Sequence, residues 1–133
     1  MIETYKELYI KLLTREGFTV RRSNLERADF TSGYQVGGIK PHFKSDLASG
    51  TLNEFVSQMQ KMKKSTANFI GGWVNTYRDK DYYDVEGSEW IADFDDAWEL
   101  AEKRNQVAFW DWSNSKNVIL YSKETTTEAY SNV

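Results

Sequence analysis

Between Phe69 and Tyr121 two aromatic and β-branched runs, a capped amphipathic stretch and two further such runs follow one another, the order of a sheet with a helix packed on it. Phe69 to Tyr77 reads as a strand, Arg78-Asp79-Lys80-Asp81 supplies turn chemistry, and Tyr82-Tyr83-Asp84-Val85 returns as its hairpin partner. After Glu86-Gly87-Ser88-Glu89 and Trp90-Ile91, Asp93 caps a helix from Phe94 to Asn105, with Asp95 and Asp96 in its first turn. That helix presents Phe94, Ala97, Trp98, Leu100 and Ala101 inward. Val107 to Trp112 and Val118 to Tyr121 are the closing strands, and Trp73, Val85, Phe109 and Val118 are expected to share one buried face.

The first half is less regular. Tyr5, Leu8, Tyr9, Leu12 and Leu13 recur at helical spacing, so residues 3 to 15 form a helix that Gly17 stops. Phe18-Thr19-Val20 is extended, and Tyr34 to Ile39 reads as a strand that the pair Gly37-Gly38 interrupts as a bulge or turn. Thr51-Leu52-Asn53-Glu54 fits a capping box, behind which Leu52, Phe55, Val56, Met59 and Met62 share a helical face. These elements predict an α+β fold, an antiparallel sheet with about three helices packed on it. Residues 1–122 form a single domain and residues 123–133 a polar tail.

At 133 residues with 15% aromatics the chain buries a core without metals or disulfides. The absence of cysteine excludes thiolate zinc sites and thiol nucleophiles, and His42 is the single histidine. With neighbours Pro41 and Phe43 it reads as a strand or turn residue rather than a catalytic one. No dinucleotide, P-loop, zinc or nucleophile-elbow motif occurs, and the acidic run lacks the ligand spacing of a calcium loop. The expectation is therefore no enzyme, no catalytic residue, no metal and no cofactor. No stretch of 18 apolar residues and no basic-then-apolar leader occurs, so the reading is a cytoplasmic protein of a bacterial host cell, without a membrane partner.

The net charge of −3 conceals a lopsided distribution. Residues 1–66 carry 11 Lys/Arg against 7 Asp/Glu, and residues 67–133 carry 6 against 13. The acidic half opposes direct binding of nucleic acid. From Asp79 to Glu102 ten carboxylates accompany one cation, Lys80. They are a solvated turn with helix-start charges, or an acidic face formed by Asp79, Asp81, Asp84, Glu86, Glu89, Asp93, Asp95 and Asp96. In the second case Trp73, Tyr82, Tyr83 or Trp90 would anchor a protein partner.

The stretches Gly71-Gly72-Trp73-Val74, Tyr82-Tyr83-Asp84-Val85, Asp93-Phe94-Asp95-Asp96-Ala97 and Asn105 to Asp111 resemble a pattern of small phage and mobile-element accessory proteins. The resemblance implies a genetic context, in which proteins of this size often counter bacterial defences, and it assigns no catalytic residue. Where that pattern often has a glycine in the first hairpin turn, this chain has Arg78-Asp79-Lys80-Asp81, which implies a wider, more charged turn. The first expected function is inhibition of a bacterial defence nuclease, of the CRISPR or restriction type, through the acidic face against a basic nucleic-acid groove. The alternative is a small-ligand binder, such as a sponge for a nucleotide signal, with Arg21, Arg22, Lys40 or Lys44 meeting phosphates.

Overall fold

A computed structural model describes residues 2–120, so Tyr121 and the tail 123–133 lie outside the described residues. The elements are α1 (Ile2–Leu13), β1 (Phe18–Arg21), β2 (Tyr34–Asp46), α2 (Leu52–Met62), β3 (Phe69–Tyr77), β4 (Lys80–Ile91), α3 (Phe94–Lys103), β5 (Ala108–Asp111) and β6 (Lys116–Ile119). All six strands join one antiparallel sheet in the order β1-β3-β4-β2-β5-β6. The sheet curls, and the helices pack on one of its faces, giving the α+β class. No described helix is long and apolar enough to cross a membrane.

Two clusters make the core. Tyr5, Leu8, Leu12, Phe55, Met59 and Met62 from α1 and α2 meet Val20, Ile70, Tyr83 and Val85 of the sheet. Ala97 and Ala101 of α3 meet Val36, Phe109 and Leu120, with Tyr34, Ile91 and Trp98 packed alongside. Side chains alternate across a strand, so Tyr83, Val85 and Ile91 of β4 lie on one face and place all three helices on the same side of the sheet.

That alternation corrects one expectation. Val85, Phe109 and Val118 face the helices, whereas Trp73 is one residue out of step with Ile70 and Val74 and faces the other way. Phe94, also expected inward, keeps 40% of its surface exposed while its ring edge meets Tyr34 and Phe109.

The β3–β4 turn is also tighter than its charge implied. Only Arg78 and Asp79 separate the strands, both with positive φ (51° and 64°), the backbone of a two-residue hairpin turn whose twist matches the strands it joins. β4 then runs on through Glu86-Gly87-Ser88-Glu89 to Ile91. The cap of α2 is half a capping box. Thr51 Oγ1 accepts from the Glu54 amide at 3.2 Å, while the Glu54 carboxylate turns to Ser45 and Gln58. Asp93 caps α3 by accepting from the Asp96 amide at 3.0 Å.

β2 is long because it breaks step twice. Its register with β4 shifts between Val36 and Ile39 and again between Ile39 and His42, around Gly37-Gly38 and Lys40-Pro41. Gly38 has φ +93°, open to glycine at little cost. The shifts let Gln35 and His42 point to the same inner face despite their odd separation.

Candidate functional site

The face of the sheet turned away from the helices is polar and aromatic. β3 contributes Gly71, Trp73, Asn75 and Tyr77, β4 contributes Asp84, Glu86 and Ser88, and β2 contributes Gln35, His42 and Lys44. Asp84, Glu86 and Ser88 each keep 5% or less of their surface exposed. Carboxylates buried to that degree need partners or shift their ionisation.

One end is closed by aromatics. The Phe30 ring, from the β1–β2 connection, stacks on Trp90 at 5.2 Å and meets Phe69 and Trp112 edge-on. Trp90 Nε1 donates to the Ser32 carbonyl, Trp112 Nε1 donates to Gln35 Oε1, and Gln35 Nε2 donates to Ser88 Oγ at 3.0 Å. This end is fully bonded.

The middle is open. A cavity of about 690 Å³ extends across the sheet, with Thr19 and Phe18 of β1, Lys11 of α1 and Arg15 on one side and Ala108, Trp110 and Asn117 on the other. Gly71, Trp73 and Glu86 are among the residues that floor it. A Cβ on Gly71 would meet no atom closer than 3.7 Å, so the missing side chain itself supplies room. A second depression of about 450 Å³ continues past Trp73 and Glu86 to His42, Lys44, Asn75 and Asp84.

At that junction His42 Nε2 bonds Asp84 Oδ1 at 2.8 Å, and Asn75 Nδ2 donates to Asp84 Oδ2 at 2.6 Å. Both Asp84 oxygens are thus engaged. The Asp84 bond raises the His42 pKa above the ordinary histidine value against its partial burial, with the Glu86 carboxylate adding to the rise.

Glu86 stands directly opposite His42 in the β2–β4 register. Its Oε1 is closed to solvent and has no hydrogen-bond partner among the described residues. It occupies the space that a side chain on Gly37 would need, with Gln106 beside it. Burial pushes the Glu86 pKa up to about 7; the charge of His42, the Gly38 backbone and Arg104 pull it down, and Asp84 raises it further. A carboxyl that ionises near neutrality can hold a proton at physiological pH.

The chain matches no family model, no curated protein and no solved structure. The site must therefore be read from its own geometry.

The eight carboxylates singled out in the sequence do not form one surface. Asp84 and Glu86 are buried on the inner face. Asp81 is bound to Arg15 at 2.7 Å and accepts from Thr76 at 2.6 Å, and these bonds, Thr76 foremost, hold its pKa below the usual carboxylate value. Glu89 pairs with Arg104. Asp79 is exposed at the hairpin tip, while Asp93, Asp95 and Asp96 are exposed at the start of α3. The 12 residues of β4 separate these two groups, a path of up to roughly 35 Å.

Nor do the four cations proposed for phosphate gather at one point. Arg21 lies over the Phe69 ring, and Arg22 Nε donates to the Ala67 carbonyl at 2.7 Å. Lys40 and Lys44 line the second depression, Lys44 with its Nζ 4.8 Å from the Tyr82 ring centre. The pairing of His42, Asp84 and Glu86 was not visible as a motif because cross-strand register, not spacing, brings them together. The available signal was period two: Trp73, Asn75 and Tyr77, and then Asp84, Glu86 and Ser88, alternate with the apolar Val74, Tyr83 and Val85.

Proposed function

We propose that this protein binds a small, largely apolar molecule on the inner face of its sheet, with the aromatic side chains as walls. The observation that carries the reading is a cavity of about 690 Å³ floored by Gly71, Trp73 and Glu86 and walled by Trp110 and Trp112, a volume within the range of small-molecule sites. Nuclease inhibition through an acidic face has less support. The exposed carboxylates fall into two separated groups, and Asp84 and Glu86 belong to the inner face.

The test uses anilinonaphthalene sulfonate, a dye that fluoresces in apolar cavities. Wild type is expected to bind it in one saturable site, and Gly71→Leu, which fills the cavity without steric conflict at Cβ, is expected to weaken binding roughly tenfold or more at unchanged thermal stability. Equal dye binding by the folded Gly71→Leu variant would contradict the reading.

A further inference from the structure

We propose that the ligand of the inner face is an organic acid, whose apolar body lies in the cavity and whose ionised head group sits in the second depression between Lys40 and Lys44. The inference rests on the ligand-site reading above and adds the ligand's charge to it.

The two hollows differ in what they offer. The first is bordered by Phe18, Trp110 and Trp112, whereas every second residue of β2 from Gly38 on, namely Lys40, His42 and Lys44, lines the second. Trp73 borders both, so one molecule reaches from the aromatic walls to the cations.

The accessible charge of the second depression is positive, although the chain as a whole carries −3. Lys40, His42 and Lys44 are exposed, and among the described residues no carboxylate lies within ion-pair distance of either lysine. The two carboxylates beneath them are closed off. Asp84 has both oxygens taken by His42 and Asn75, and Glu86 is buried. A cationic ligand would find no free carboxylate oxygen here, while an anion finds two unpaired ammonium groups.

Geometry lets the two act together. Lys40 and Lys44 are separated by at most roughly 13 Å of strand, with His42 between them, and their flexible four-carbon stems can converge on one head group. His42 Nδ1 has no partner among the described residues, and the Asp84 bond to Nε2 favours the charged ring, in which Nδ1 is a donor. Arg104 lines the same depression but is held by Glu89 and the Gly37 carbonyl, which leaves the head group to β2.

Two dyes of one shape separate body from charge. Anilinonaphthalene sulfonate carries an anionic head, and N-phenyl-1-naphthylamine is the same ring system without it. Wild type is expected to bind both. In the double variant Lys40→Gln/Lys44→Gln the Kd for the sulfonate should rise roughly tenfold, about threefold per exposed ion pair lost, and the Kd for the uncharged dye should stay within about twofold. Retained binding of the uncharged dye also shows that the variant is folded. Lys6→Gln/Lys103→Gln removes the same charge from exposed positions on α1 and α3 and should leave both affinities as they are.

An unchanged sulfonate affinity in Lys40→Gln/Lys44→Gln, an equal loss in Lys6→Gln/Lys103→Gln, or a wild type that takes only the uncharged dye would overturn the assignment of an anionic ligand and leave the cavity reading standing. A wild type that binds neither dye overturns both.

Discussion

Glu86→Gln is expected to stabilise the protein by about 3 kcal/mol at pH 8 and to change little at pH 4. The folded-state pKa is raised, from an ordinary 4.5 to about 7. Below the ordinary value both states hold the proton and the two proteins are alike. As pH rises from there, the unfolded chain ionises while the folded one keeps its proton, so wild-type stability falls and the loss is complete above the folded value. Glutamine keeps the shape and cannot ionise. His42, whose pKa is also raised, leaves a smaller decline in the variant, because its favourable contribution is present below its ordinary value and lost as pH rises through the folded one. Urea denaturation of both proteins at pH 4, 6 and 8 checks the divergence. Equal midpoints at pH 8 would mean that Glu86 carries no burial cost.

Phe55→Ala is expected to cost about 4 kcal/mol, a large share of the stability of a domain this size. Phe55 has no exposed surface, and its ring meets Tyr9 at 5.3 Å and Phe18 and Tyr83 at 6.1 Å. It is the point where α2 holds both the end of β1 and the middle of β4. Truncation opens a hole that three large rings cannot collapse into without leaving their packed positions, two of them edge-to-face against Phe55. Denaturant titration reads the loss. A cost under about 1 kcal/mol would show that the α2 contact is not central to the core.

The parts of this fold that could be read from the sequence are the local ones. α3 announces itself by Asp93 and its apolar stripe, and α2 by Thr51, because capping and helical periodicity act within a few residues. The β3–β4 hairpin was also legible, although the width of its turn was not, since Arg78 and Asp79 adopt positive φ without the glycine that usually marks it. The turn composition of Glu86-Gly87-Ser88-Glu89 makes the sequence end this strand at Val85. In the sheet those residues alternate inward and outward, and Gly87 faces Ala67 where a Cβ would not fit.

The candidate site was hidden for a related reason. An acidic run reads as a solvated surface, yet curling of the sheet takes Asp84 and Glu86 out of water. Their relation to His42 depends on two register shifts in β2, and a one-residue difference in either would have turned His42 to the helix face. No spacing rule in a single sequence reports such shifts.

The Glu86 carboxyl is buried in the sheet, its Oε1 without a hydrogen-bond partner among the described residues, and the raised ionisation that follows from this burial is the central claim. Its most direct test is a carboxyl-carbon NMR titration of protein labelled at glutamate, with the Glu86 resonance assigned by its absence in Glu86→Gln. The account predicts a midpoint near 7. A midpoint at the ordinary 4.5 would place Glu86 in water and contradict the account.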